Sequence, residues 1–290
     1  MEHILFALPG NEVLADRLAS LTGAETGSAQ FHRFPDEEVL VRIDSDVKNK
    51  RVTLVCTLDR PDAKFLPLYF LAQTARDMGA ATVRVVAPYL AYMRQDKRFH
   101  QGEALSSSWF GHLVSGMADE LLTIDPHLHR HHNLAEVFSI PAKALHAAPL
   151  VSEWIRAHVK NPLLIGPDEE SEQWVSEVAR MAGASFAVLK KIRHDDNHVT
   201  VSLPDADAYR GHTPVLVDDI ISTAHTMMET VGHLRDAALP PPVCIGVHAV
   251  FAGDAYERLL QSGVASVVTC NTIVHPSNRI DISSLFADHL

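Results

Sequence analysis

Short apolar runs alternate with helical patterns from one end of the chain to the other, and this rhythm constrains the fold more than any other feature. The runs Ile4–Leu8, Val52–Cys56, Val83–Val86, Glu120–Ile124, Leu163–Ile165, Phe186–Leu189, Val199–Val201, Val215–Val217, Ile245–Val250 and Val267–Thr269 read as strands. Several are continuously apolar, as strands covered on both faces are. Between them, Val13–Leu21, Phe65–Met78, Ser107–Met117, Val151–Val159, Ser171–Met181, Thr226–Ala237 and Ala255–Gln261 read as helices. In Phe65–Met78, Leu68, Leu71, Ala72 and Ala75 recur at helical spacing, and Gly79 supplies a stop. The alternation specifies an α/β fold of mostly parallel sheets flanked by helices. Pro141, Pro149 and several alanines punctuate residues 139–149, which sets an expected boundary between domains 1–145 and 146–290. The two halves share a coarse rhythm but no residue-level repeat.

A chain of 290 residues accommodates two such domains. With 36 acidic and 25 basic side chains, its formal charge of −11 argues against nucleic-acid binding, which needs a basic face. It leaves room for a small anion in a local pocket. No apolar run is long enough to span a bilayer. The opening Met1–Phe6 reads as a first strand and not a signal peptide, so a cytoplasmic protein without membrane contact is expected. Cys56, Cys244 and Cys270 lie far apart in apolar surroundings and read as buried thiols.

The sharpest chemical signal is the stretch Val215–Met227. An apolar strand ends in the adjacent carboxylates Asp218 and Asp219; then come Ser222, Thr223, Ala224, His225 and Thr226, where a helix begins. Open α/β sheets bind ligands at such strand ends. A helix start offers unpaired N–H groups and a positive dipole end to a phosphate, and the carboxylates suit sugar hydroxyls or a metal-bound water. Together they describe a sugar phosphate site. A solvated strand end with an ordinary helix cap is the plainer alternative.

This stretch resembles the phosphoribosyl-diphosphate loop of type I phosphoribosyltransferase folds. Five further segments are similar, in order, to ribose-phosphate pyrophosphokinase (PRPP synthetase). They are Arg33–Glu38, Pro88–Arg98, Thr123–His127, Gly166–Asp168 and Leu189–Arg193. The resemblance implies two phosphoribosyltransferase-like domains, the last residues returning to the N-terminal one. It implies transfer of the diphosphoryl group of Mg-ATP to the anomeric hydroxyl of ribose 5-phosphate. It places ATP on Phe34, Asp36, Glu38, Arg94, Gln95, Asp96 and Lys97, with Phe34 stacking on adenine from a neighbouring subunit. The partners would thus be ATP, ribose 5-phosphate and further copies of the chain, as a dimer or a hexamer of dimers. The implied cofactor is Mg²⁺, held by His127 and Asp168; magnesium takes few protein ligands and leaves the rest to phosphates and water. Ribose 5-phosphate falls to Asp218, Asp219 and Ser222 through Thr226.

Lys191 and Arg193 stand one residue apart on an extended segment, where both could face the phosphates and stabilise the charge that develops there. Lys190 is the alternate, and His194–His198 reads as a lid or a plain hairpin turn. The cluster His127, His129, His131 and His132 reads as a polar loop with one recruited member, or as a zinc or nickel site.

Several positions depart from the family pattern. Glu169, Glu170 and Glu172 follow Asp168, Ser222 stands for an aspartate, and His225 stands for a glycine that a positive φ would require. The acidic loop and His225 keep a non-catalytic regulatory homologue in view. The ribose loop alone also fits a PRPP-consuming phosphoribosyltransferase.

Overall fold

The structure, a computed structural model, describes residues 1–128, 130–166, 171–195, 198–202 and 206–290; at position 173 and in 190–207 it describes the backbone alone. The chain divides into two compact units, Met1–His146 with Ser283–Leu290, and Ala147–Ile282.

In the first unit the order is β1 (His3–Ala7), α1 (Glu12–Thr22), β2 (Glu25–Thr26), β3 (Ala29–Arg33), β4 (Val39–Ile43), β5 (Arg51–Val55), α2 (Asp62–Asp77), β6 (Thr82–Ala87), α3 (Ser106–Met117), β7 (Glu120–Ile124) and β8 (Ala142–Leu145). Six strands form an all-parallel sheet in the order β2-β1-β5-β6-β7-β8. The continuous apolar runs explain the parallel arrangement. Ile4, Leu5 and Phe6 in β1 and Val52 and Leu54 in β5 are wholly buried, because helices cover both faces. Each such side chain contributes about 1.5–3 kcal/mol by leaving water.

The strands β3 and β4 form a separate antiparallel hairpin, Ala29 opposite Ile43 through Arg33 opposite Val39. Its alternating pattern turns Phe31 and Val41 toward the core and leaves His32, Arg33, Leu40 and Arg42 exposed. No strand was expected there, because Gln30, His32, Arg33 and Arg42 interrupt its apolar residues. Helix α2 starts at Asp62, before the expected Phe65, and carries Pro67 in its interior. Pro67 has no N–H for the carbonyl of Ala63. Arg33 Nη2 donates to that carbonyl at 3.4 Å and ties the hairpin to the helix.

The second unit opens with α4 (Ala148–His158) and continues through β9 (Pro162–Gly166), α5 (Glu172–Ala182), β10 (Ser185–Val188), β11 (Lys190–Asp195), β12 (His198–Ser202), β13 (Thr213–Ile221), α6 (His225–Asp236), β14 (Val243–Ala249), α7 (Ala255–Gln261), β15 (Ser266–Cys270) and β16 (Asn278–Ile280). Its parallel sheet runs β10-β9-β13-β14-β15-β16. Numbered within each unit, both sheets have the strand order 2-1-3-4-5-6, and both insert an antiparallel hairpin between strands 2 and 3. The coarse rhythm of the sequence is therefore a repeated topology.

The last helix, α8 (Ser283–Ala287), belongs to the first unit and packs on α1, with Phe286 wholly buried. Arg51 Nη1 donates to the carbonyl of Leu290 at 3.0 Å, and Arg84 Nη1 to that of His289 at 3.2 Å.

All three cysteines are buried and unpaired in disulfides. Burial pushes the thiols of Cys56 and Cys244 up to about 12, so both stay protonated and unreactive at neutral pH. Among the described residues no helix is long and apolar enough to cross a membrane.

Candidate active site

In the first unit two of the segments singled out by sequence follow the neighbouring strands β6 and β7 of one sheet, and the third is the turn of the β3–β4 hairpin. After β6, Pro88, Tyr89, Leu90 and Ala91 are buried, and Tyr92 takes a left-handed turn at φ 65°. Tyr92 donates to Asp62 Oδ1 at 2.7 Å, which holds its phenol above the usual range and pins the loop to the start of α2. Met93 is buried, and Arg94 beside it points to solvent. Gln95 accepts from Ser106 at the start of α3. Lys97 is exposed, its ammonium 5.3 Å from the ring centre of Phe99.

Asp96 is different. Its side chain is only 2% exposed, and Oδ1 accepts from Arg130 Nη1 at 2.7 Å. Desolvation pushes its carboxyl upward. The Arg130 hydrogen bond and charge, with backbone donors, outweigh that and hold it below the usual range. Arg130 lies in the loop after β7, and β7 pairs directly with β6. The ion pair therefore joins the loops of two adjacent strands. Arg130 stands within the histidine cluster and belongs to none of the motifs; a buried acid in the segment after β6 is the signal that points to it.

His127 sits half-buried after β7. Two residues before it, Asp125 takes φ 33°, donates its backbone N–H to Leu145 O at 2.9 Å, and lies 2.9 Å from His146 Nδ1 through Oδ1. His131 and His132 both turn to Glu136, His131 through its ring at 3.1 Å and His132 through its backbone N–H at 3.1 Å. His129 lies outside the described residues. No group of three or more His, Cys, Asp or Glu that could hold a metal ion occurs among the described residues.

Phe34, Asp36 and Glu38 occupy the exposed turn of the β3–β4 hairpin. The turn closes itself: Phe34 N–H donates to Glu38 O at 2.8 Å, Glu37 N–H to Phe34 O at 2.9 Å, and Glu38 N–H to Asp36 Oδ1 at 3.3 Å. Phe34 is 39% exposed and meets His32 edge-on, with ring centres 4.7 Å apart. Its ring is thus no part of the core.

In the second unit two expectations need correction. Strand β13 does not end at the carboxylates: it runs on to Ile221, with Asp218 opposite Gly246 and Ile220 opposite His248. The fully buried neighbour β14 extends the ladder past Asp218 and Asp219 and leaves both half-buried within the strand. Asp219 N–H donates to Asp218 Oδ1 at 2.9 Å. The second correction concerns His225. It is the first residue of α6, exposed, with Nε2 3.2 Å from Glu229, and the left-handed position is Ala224 at φ 56°. Histidine therefore carries no backbone penalty there; the alanine does, of roughly 1–2 kcal/mol.

The loop between β13 and α6 is consequently three residues long: Ser222, Thr223 and Ala224. No side chain caps α6, so its first N–H groups, with Thr223, His225 and Thr226 exposed around them, form an anion-ready edge. Asp168, Glu169 and Glu170 lie outside the described residues, and Glu172 begins α5, where an acid suits the helix dipole. Positions 191 and 193 share one face of β11, opposite Val201 and Val199, and position 190 falls on the other face. A bulge follows between 193 and 195, and residues 196–197 lie outside the described ones.

These loops and strand orders can be compared with known proteins. Residues 3–117 match the N-terminal domain of ribose phosphate pyrophosphokinase, and residues 133–282 match the phosphoribosyl transferase domain. The chain is 32% identical to the ribose-phosphate pyrophosphokinase of Methanosarcina acetivorans over 97% of both chains. It is 31% identical to that of Halobacterium salinarum over 99% of this chain and all of the other. The fold matches the crystal structure of phosphoribosylpyrophosphate synthetase from Mycobacterium smegmatis, with a TM-score of 0.85 at 22% identity over 100% of this chain and 97% of that one. Two parallel sheets of one topology, matched end to end by relatives of one name, place the chain in the ribose-phosphate pyrophosphokinase family.

Proposed function

We propose that the chain transfers the diphosphoryl group of Mg-ATP to the anomeric hydroxyl of ribose 5-phosphate, giving PRPP and AMP. The observation that carries this reading is the kinship over nearly the whole chain, 97% of both sequences for the Methanosarcina acetivorans enzyme. The anomeric oxygen attacks the β-phosphorus, the bond from that phosphorus to the α–β bridging oxygen breaks, and AMP departs with those electrons. The hydroxyl proton passes to solvent.

The first unit, residues 1–145 in its main span, would hold ATP through Arg94, Gln95 and Lys97, with Asp96 acting from beneath. The second, residues 146–290 less the terminal helix, would hold the sugar ester. The half-buried Asp218 and Asp219 suit ribose hydroxyls, and the backbone and hydroxyls from Ser222 to Thr226 suit the 5-phosphate. Lys191 and Arg193 supply the charge that stabilises the transferring diphosphoryl group. Mg²⁺ would be held by His127, Asp168 and phosphate oxygens, and would screen the triphosphate.

Self-association belongs to the same reading. Phe34, Asp36 and Glu38 protrude on a hairpin turn, suited to reach the nucleotide of a neighbouring copy. Leu66, Trp109 and Leu113, each more than half exposed, rim an apolar groove of about 450 Å³ that a second copy would cover.

Incubation with Mg-ATP and ribose 5-phosphate tests the reaction. AMP and PRPP should appear in equal amounts. Absence of AMP would sink the reading, and consumption of added PRPP with a nucleobase would replace it with a phosphoribosyltransferase.

A further inference from the structure

We propose that Arg130 is a phosphate-binding residue of the nucleotide site and that Asp96 is its positioning residue. The proposal rests on the nucleotide reading above and extends it to a side chain outside the motifs that suggested it.

The ion pair is asymmetric. Asp96 is 2% exposed at the side chain, whereas Arg130 is 49% exposed. A buried carboxylate bound to a half-exposed cation is a weak stabilising device, because desolvation of the acid consumes most of the attraction. It is an effective way to hold a guanidinium still. Asp96 Oδ1 takes one of five donors, Nη1 at 2.7 Å. The opposite edge of the planar group keeps its donors, and no other side-chain bond to Arg130 occurs among the described residues. A fork of that kind matches two phosphate oxygens, and lysine could not serve both partners in one plane.

Position supports the assignment. Asp96 stands between the half-buried Gln95 and the exposed Lys97 after β6, and Arg130 follows His127 by three residues after β7. Carboxyl ends of adjacent strands are where open α/β sheets hold ligands. Asp96 Oδ2 is buried without a partner. An unpaired buried oxygen is costly, so the single side-chain bond from Arg130 leaves a second guanidinium grip to be completed. A phosphate that turns the guanidinium slightly would bring it onto both carboxylate oxygens.

The test compares binding of a non-hydrolysable Mg-ATP analogue with binding of adenosine by titration calorimetry. Arg130→Gln should weaken the analogue by about tenfold to a hundredfold, the range of a charge-assisted hydrogen bond, and leave adenosine unchanged. Arg130→Lys should recover part of that loss. Asp96→Asn should lose analogue affinity too, and Asp96→Asn with Arg130→Gln should be no worse than Arg130→Gln alone. A purely structural Asp96 would instead add its loss to the double variant and weaken adenosine equally. Analogue affinity within fivefold of wild type in Arg130→Gln, or additive losses, overturns the proposal. Wild-type protein that binds neither probe would defeat the nucleotide reading itself, so the two failures are separable.

Discussion

The two units share one wiring and differ at the same place, the link from the third strand to the following helix. In the second unit that link, Ser222–Ala224, runs from β13 into α6 with no side-chain cap. In the first unit it runs from β5 through Thr57, Leu58 and Asp59 to α2. There Lys64, on the first turn of α2, donates to Thr57 O at 3.0 Å and pairs with Asp59. Both links use a left-handed non-glycine residue just ahead of the helix, Arg60 at φ 52° and Ala224 at φ 56°. One copy of the loop is thus braced by a cation from its own helix, although neither helix carries a side-chain cap. The same topology thus carries two loops of different chemistry, one braced by a lysine of its own helix and one built of Ser222, Thr223 and Ala224.

The inserted hairpins diverge in the same way. In the first unit the turn presents an aromatic ring and two acids, and in the second the leading strand carries Lys191 and Arg193. The largest expected effect tests this division of labour. Lys191→Ala should lower turnover by about a hundredfold to a thousandfold, while ribose 5-phosphate affinity stays near wild type. Steady-state rates set beside direct titration check it; a wild-type rate removes Lys191 from the mechanism.

Next comes the terminal helix. In the second unit α4 packs on α5; in the first, the helix against α1 is α8, from the far end of the chain. Phe286→Ala should therefore destabilise the first unit, by about 3–5 kcal/mol for a fully buried ring. Chemical denaturation followed by probes in each unit would detect it, and equal loss in both units would break the assignment.

A smaller effect separates the two loops. Asp218→Asn with Asp219→Asn should weaken ribose 5-phosphate by about tenfold or more, whereas Asp59→Asn should leave it unaltered. Equal losses would erase the contrast.

The smallest concerns pH. His3 donates to or accepts from Thr53 at 2.9 Å, and burial, then the charges of Arg51 and Arg84, lower its imidazole from 6.5 to about 4. The folded chain thus favours the neutral ring. Its contribution is complete above pH 6.5 and declines as pH falls toward 4. His3→Gln should flatten stability across that window, and an unchanged slope would assign it to other groups.

Much of the fold was legible because strands buried on both faces announce themselves as unbroken apolar runs, as at Ile4–Phe6 and Leu163–Ile165. The hairpin β3–β4 was not, since Gln30, His32 and Arg42 interrupt its run and only docking against α2 makes it a strand. Likewise Asp218 and Asp219 read as a strand end, and it is the partner β14 that carries the ladder to Ile221. Within the candidate site, the segments around Arg94 and Asp218 were visible as motifs. Arg130 was not, because its meaning comes from a residue 34 positions away.

Local pattern by itself determined most strands of the two sheets, every helix but the last, and the parallel arrangement, because periodicity and turn chemistry act over a few residues. Tertiary structure alone decided that the two sheets repeat one topology, that the last helix completes the first unit, and that Asp96 looks inward to Arg130. Those outcomes depend on burial and charge pairing between segments distant in sequence, which no local pattern encodes.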